Sequence, residues 1–505
     1  MKRLSILLAA ASLLVAIAGC QKEPAGNENA ESAKAYAQFT ISFANPTGTK
    51  AADADTGTGY DAGEESEYVV KNATLYFVSG DVVKYIKEVN DPAAFTKHEY
   101  GGEITYTSTI QNLGTGDYHV YAVVNHSLAG VTANTTTETQ LQTLIQTAGA
   151  VPGLDLSKGI PMTSRNVSAA NRAAAADAKL YDVVTISTSN TKDNPCIISL
   201  DMERAWAKIT YVAQNATNTY EVKAKIEGTE TKIADVALKD YRVLNQPTVW
   251  NAFRQSCSFT TETDASLVAA NKGYGVFNAN PNYDYLFDPQ TEKKTVANVT
   301  TMADVNLTDA SFAAGTFPTS TTDDTPLAYV YENGLHKNSQ LVGYVTAVQF
   351  KGQIAPVKVW EKDGEFTVKE YTYSSGDLYF YDNKFYKDLD AVNADTKLGL
   401  ATDAQAKQFN VKKYTGGVCY YVYYVRHWNN GILPPTDGAL GIMEYAIVRN
   451  NSYQITVTQI NSLGDDDMNE PTPTAETPVE QTETYFQVKL TIRPWVVRAQ
   501  DAVLG

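Results

Sequence analysis

Residues 37–43 read Ala-Gln-Phe-Thr-Ile-Ser-Phe, with Ala37, Phe39, Ile41 and Phe43 alternating with Gln38, Thr40 and Ser42. Successive strand side chains point to opposite faces, so this period of two predicts a strand with one buried face. The pattern returns at the far end of the chain. There Phe486, Val488, Leu490 and Ile492 alternate with Gln487, Lys489 and Thr491 before Pro494 interrupts, and Trp495 and Val497 follow. Between these ends, the segments 72–78, 82–86, 104–110, 118–124, 233–244, 341–351, 366–380, 417–426 and 442–460 read as strands separated by turn residues. Short strands at this spacing predict an all-β chain of sandwich domains. A helix is expected at 137–147, where Leu141, Leu144 and Ile145 fall on one face behind a run of capping Thr residues. A fresh run at 203–212 places a domain boundary near 203, dividing 51–202 from 203–470 and leaving 471–505 as a linker and last strand.

The chain has 505 residues, room for two or three domains with ample core. Its net charge of −16 argues against a nucleic-acid partner. Thirty-two Tyr against five His suit pleated, half-buried surface better than acid-base or metal chemistry. Beyond Cys20 the cysteines are Cys196, Cys257 and Cys419, so at most one disulfide forms, and the expected role is small buried hydrophobe.

Tests for chemistry return no catalytic residue, no metal site and no cofactor. His98, His119, His126, His336 and His427 form no HExxH or close pair, and no G-x-S-x-G or phosphate-binding glycine loop appears. His427, between Arg426 and Trp428, reads as a structural hydrogen-bonding residue. Asp465, Asp466 and Asp467 lack the spaced ligands and Gly of a calcium loop and read as a solvated turn. In Tyr420-Tyr421-Val422-Tyr423-Tyr424, alternation sets Tyr421 and Tyr423 on one face and the others opposite. That predicts a central strand buried on both sides, in preference to a sugar-stacking surface.

The first residues carry an address. Lys2 and Arg3 precede an apolar run that ends in Ile17-Ala18-Gly19-Cys20, a secretory signal over 1–19 too short to span a bilayer. The small-small-Cys ending resembles a bacterial lipobox, which implies acylation of Cys20 and attachment to the outer membrane through lipid. Residues 21–35 are a polar tether, and 45–64 form a Pro, Gly and Asp-rich loop of the kind proteases cut. Lys50, before Ala51, is the only basic residue in that loop. The lipid and the first strand, residues 20–50, would leave together on cleavage.

Removing a core strand from a sandwich uncovers apolar side chains and unpaired backbone groups. An extended segment of a second molecule can refill the groove by strand addition. Four large side chains at about 1.5–3 kcal/mol each would supply roughly 6–12 kcal/mol before entropic costs. Such contacts are head-to-tail, so their repetition gives an open filament. On residue pattern alone, each strand equally suits a place in its own domain.

Several segments resemble the type V fimbrillins of Bacteroidetes, in particular the major stalk subunits of the Porphyromonas minor fimbriae: Ile160-Pro-Met-Thr163, Glu203-Arg-Ala-Trp-Ala-Lys-Ile209, Tyr331-Glu-Asn333, Gly416 to Tyr421 with Arg426 to Asn429, Met443 to Tyr453, Leu463-Gly464, and Pro494-Trp495. The resemblance implies two transthyretin-like β-sandwich domains, export as an outer-membrane lipoprotein, and an extracellular trypsin-like protease that removes the lipid and first strand. It further implies a fimbria on the cell surface, built by this chain with itself and with anchor and tip subunits, that supports adhesion and biofilm formation. Well-known members are cut after Arg, whereas this chain offers Lys50. A lipid-retained glycan-binding protein or a fimbrial tip adhesin is the rival reading. A surface hydrolase stands further off.

Overall fold

The computed structural model describes residues 35–43, 63–100, 103–147, 156–164, 183–258, 272–274, 284–286, 307–312, 317–334, 340–427, 444–469, 477–479 and 485–494. Cys20, Lys50, Ala51, His336, Trp495 and Val497 lie outside them.

The protein is mostly strand, as its alternating patterns require. In the first half, ten strands form one sheet whose main path runs Val82–Val89, Ala73–Ser79, Gly116–Val124, Met162–Ser164, Cys196–Arg204, Ala35–Phe43, Glu103–Ser108 and Phe95–Tyr100. The sheet curls on itself. Phe39 and Phe77 are far apart along that order, yet their ring centroids stand 6.3 Å from one another across the core. Leu75, Val120, Ala122, Ile198 and Leu200 fill the same core.

Past Ala205 the chain enters a β-sandwich of two four-stranded sheets. One runs Thr325–Tyr331, Trp206–Tyr211, Asn451–Ile460 and Phe486–Pro494; the other runs Thr219–Ile226, Thr229–Leu244, Ala347–Pro356 and Val418–Tyr424. Their facing sides close over Tyr211, Phe350, Tyr421, Tyr453 and Phe486. Strand Cys196–Arg204 belongs to the first unit and Trp206–Tyr211 to the second, so the run expected at 203–212 is broken at Ala205, whose N–H donates to Pro161 O at 2.8 Å.

Other expectations need correction. The helix at 137–147 shrinks to Glu138–Gln142. Its capping box of Thr137 and Gln140 forms, but Ile145–Thr147 then pairs with Val249–Asn251 as strand, where β-branched side chains are at ease. The expected strand 341–351 begins at Ala347, after a turn closed by Tyr344 and Val345 N–H groups on Leu341 O. The segment 366–380 divides into Val368–Tyr371 and the start of Leu378–Tyr381, and the polar connection 386–408 carries helices Leu389–Thr396 and Asp403–Gln408.

These last elements belong to a five-stranded sheet inserted between Ala347–Pro356 and Val418–Tyr424. One face of the insert, with Val359, Leu378, Phe385 and Tyr414, joins the main core, and the other packs Tyr379 and Tyr386 beneath the helices. Among the described residues Val418–Tyr424 ends its sheet instead of lying centrally, its outer side bridged only by Asp465 to Tyr420. Both faces are nevertheless occupied: Tyr421 and Tyr423 meet the main core, and Val422 and Tyr424 a second cluster.

Candidate functional site

The two alternating end strands occupy unlike positions. Ala35–Phe43, the leading strand, is interior to its sheet. It runs parallel to Cys196–Arg204 in the register Ala37 to Cys196 through Phe43 to Met202, and antiparallel to Glu103–Ser108 and Gln111–Leu113 on its other side. Ala37, Phe39 and Ile41 are each no more than 1% exposed, whereas Phe43 is half-buried against the rings of Tyr68 and Tyr106. Where the ladder to Glu103–Ser108 thins, side chains take over. Ser108 Oγ accepts from Phe39 N–H at 3.0 Å, and Gln38 Nε2 donates to Ser108 O at 2.9 Å.

Among the described residues Phe486–Pro494, the terminal strand, lies at a sheet edge and pairs only with Asn451–Ile460, with a bulge between Val457 and Gln459. Phe486 and Ile492 are buried; Val488 and Leu490 are only partly so. The Phe486 ring sits 5.4 Å from Tyr421 and 6.1 Å from Phe350. Both strands thus bury the faces expected of them. The leading strand has two neighbours to lose, the terminal strand one.

A feature absent from the sequence reading lies between the two units. Glu67, in the short turn Glu65–Glu67 that follows the loop 45–64, is fully buried. Lys208 Nζ donates to its Oε2 at 3.0 Å, Tyr329 OH to its Oε1 at 2.5 Å, and Arg204 Nε to its carbonyl oxygen at 2.9 Å. Beside it, Arg449 is also sealed from solvent. It holds Glu332 through Nε at 2.7 Å and through a second nitrogen, donates to Asn251 O at 2.7 Å, and stands 3.8 Å from Glu203. Burial opposes the Arg449 charge, but the Glu332 carboxylate, with Glu203 behind it, raises the guanidinium above its ordinary range. Asn450, in the left-handed conformation at φ 62°, donates its N–H to Trp206 O at 2.8 Å.

The segments 160–163, 203–209, 331–333 and 449–453, which carry the resemblance in the sequence, all meet at this joint. Arg449 Nη1 reaches Thr163 Oγ1 at 3.5 Å, and Asn333 and Ile447 exchange both backbone hydrogen bonds. These four segments of the sequence signature therefore mark the seam between two units, built from buried charge. What sequence reasoning missed was Glu67, which no local pattern distinguishes from its neighbours Glu64 and Glu65.

His427 has the structural role expected of it: its Nδ1 is 2.8 Å from Tyr453 OH, and burial, with the Arg254 charge, lowers it to about 3. Cys419 is buried and Cys196 half-buried, both as free thiols. Among the described residues no cluster of His, Cys, Asp or Glu could hold a metal ion, and no helix is long and apolar enough to cross a membrane.

Comparison with known proteins places these features. No curated protein matches the chain. By overall shape it is similar to a Parabacteroides distasonis protein (14% identity, TM-score 0.41, 92% of this chain and 100% of that one). It is also similar to a fimbrilin of Porphyromonas gingivalis (15%, 0.40, 92% and 99%) and to the tip fimbrial protein Mfa3 of the same organism (8%, 0.34, 92% and 100%). Residues 412–501 match the family model described as the C-terminal part of fimbrillin, the major fimbrial subunit protein type IV. That match spans the buried-charge segment around Arg449 and the terminal strand, so residues 412–501 of this chain are similar to the C-terminal part of fimbrillin.

Proposed function

We propose that this chain is a fimbrial subunit that forms the stalk of a type V fimbria, delivered to the outer membrane as a lipoprotein through Cys20 and polymerised by donor-strand exchange. In this reading a trypsin-like protease cuts after Lys50, and the lipid leaves with the leading strand. Residues 485–505 of a second copy then enter the groove, and anchor and tip subunits close the two ends.

The observation that carries the reading is the unlike placement of the two matching strands. In its own sheet the terminal strand pairs on one side and leaves Val488 and Leu490 partly exposed. In the leading strand's place it would pair on both sides, on a face where Ala37, Phe39 and Ile41 are at most 1% exposed. Burying Val488 and Leu490 fully there adds about 1.5–3 kcal/mol for each at most, on top of the second ladder. Against this stands the uncovering of Phe350 and Tyr421 when Phe486 departs. The domain division proposed with it, 51–202 and 203–470, lies two residues before the joint at Ala205.

Brief trypsin treatment of the lipid-free precursor tests it. The expected result is a new N-terminus at Ala51 and a ladder of oligomers on unheated gels, absent when 485–505 is deleted. Cleavage that leaves a monomer, or a ladder that survives the deletion, sinks the reading.

A further inference from the structure

The pair at the centre of the joint has the parts for a covalent bond. Lys208 Nζ stands 3.0 Å from Glu67 Oε2, with the two side chains 6% and 0% exposed. Tyr329 OH donates to the other carboxylate oxygen, Oε1, and Arg204 Nε fixes the Glu67 backbone through its carbonyl oxygen. The three side chains come from separate elements, the turn Glu65–Glu67 and the strands Trp206–Tyr211 and Thr325–Tyr331. Tyr329 itself belongs to an apolar cluster with Trp206, Trp250 and Tyr331. Pairs such as Lys384 with Asp395 and Lys387 with Glu361 stand in water instead, their lysines well exposed. Arg449 and Glu332 are buried too, but a guanidinium stays charged and delocalised and is no nucleophile.

We propose that Lys208 and Glu67 condense to an amide within the chain. The Nζ lone pair bonds to Glu67 Cδ, the Cδ–Oε2 bond breaks, and Oε2 departs as water. Both protons of that water come from the Lys208 ammonium, whose third proton stays on the amide nitrogen. Ammonium and carboxylate thus become amide and water with atoms and charge balanced and no added reagent. Tyr329 O–H, aimed at Oε1, stabilises the negative charge that this oxygen carries in the tetrahedral intermediate. Glu67 Cδ is one bond from the oxygen that Nζ already touches, and groups held so reach effective molarities of about 10⁵–10⁸ M. Two charges that are costly to keep dry give way to one neutral group, and the released water passes to solvent. The bond ties residue 67, at the head of the first unit after the loop 45–64, to the first strand of the second unit. It forms within one molecule and does not depend on strand exchange.

The lipid-free precursor, purified unfolded and then refolded, is followed by intact-mass spectrometry and digested for tandem mass spectrometry. The folded chain should become lighter than its sequence by one water, and the digest should hold a branched peptide joining Glu67 to Lys208. A sample left in denaturant should keep its full mass, as should folded Lys208→Arg. Tyr329→Phe should form the bond about 10²–10³-fold more slowly. The proposal is overturned if the folded parent keeps its full mass, if the lost water maps to other residues, or if Lys208→Arg loses it as well. Should Lys208→Arg fail to fold, the presence or absence of the branched peptide in the parent decides alone. Formation at the parent's rate in Tyr329→Phe overturns the part given to Tyr329.

Discussion

Lys208 Nζ lies 3.0 Å from Glu67 Oε2 with both side chains nearly closed off from water, although the residues are 141 positions apart. Glu67 is held before the first long strand after the loop 45–64 begins, and Lys208 is in the first strand of the second unit. Removing one partner leaves a charge buried without its counter-ion. Lys208→Met should therefore lower unfolding free energy by about 3–5 kcal/mol in a denaturant titration. Lys208→Met combined with Glu67→Leu should recover part of that loss, whereas additive single effects would mean that the pair is not coupled.

Phe39→Ala separates the precursor from the assembled state. The ring is buried between the layers, so its removal should cost the precursor about 3–5 kcal/mol. If the leading strand is discarded on cleavage, the melting temperature of oligomers formed afterwards should equal that of the parent. Equal destabilisation of both would show that residues 35–43 remain in the fibre.

His427 gives a pH signature. Its value falls from 6.5 to about 3 because it is buried, with the Arg254 charge adding to the effect. The unfolded chain takes up this proton first, so the stability that the neutral ring contributes is fully present above about pH 6.5 and is lost as pH falls toward 3. His427→Gln can still hydrogen-bond to Tyr453 but does not titrate. Its loss of stability between about pH 7 and pH 4.5 should be smaller than the parent's, a comparison in which His126, also lowered by burial, cancels.

Gly464 leaves no room for a methyl group, since a Cβ there would press on the Tyr420 carbonyl oxygen. Asp465 and Tyr420 exchange two backbone hydrogen bonds of 2.9 Å across this spot. Gly464→Ala should cost about 1–3 kcal/mol by denaturant unfolding and speed amide exchange at Tyr420 and Asp465. Unchanged exchange there would show that the backbone yields elsewhere.

Sequence alone was most informative where one face is buried and the other wet. The alternation at 37–43 and 486–492 marks real strands, Ala35–Phe43 and Phe486–Pro494. It was least informative for the insert, whose short strands such as Val368–Tyr371 are largely exposed and whose helices, capped by Asp388 and Thr402, are too polar and brief to show a helical stripe. The buried-charge joint was half legible. Arg449 and the 203–209 run stood out as motif residues, but their meeting with Glu67 and Glu332 depends on contacts across more than a hundred positions. Pairing of that kind has no period to read.

The leading strand's two-sided seat also has a mechanical meaning. A strand flanked on both sides and pulled along its own axis is loaded in shear, so the rungs of both ladders resist together. An edge strand such as Phe486–Pro494, lifted away from its single neighbour, yields rung by rung like a zip. Whatever segment occupies the place of residues 35–43 is therefore gripped by two ladders at once under tension.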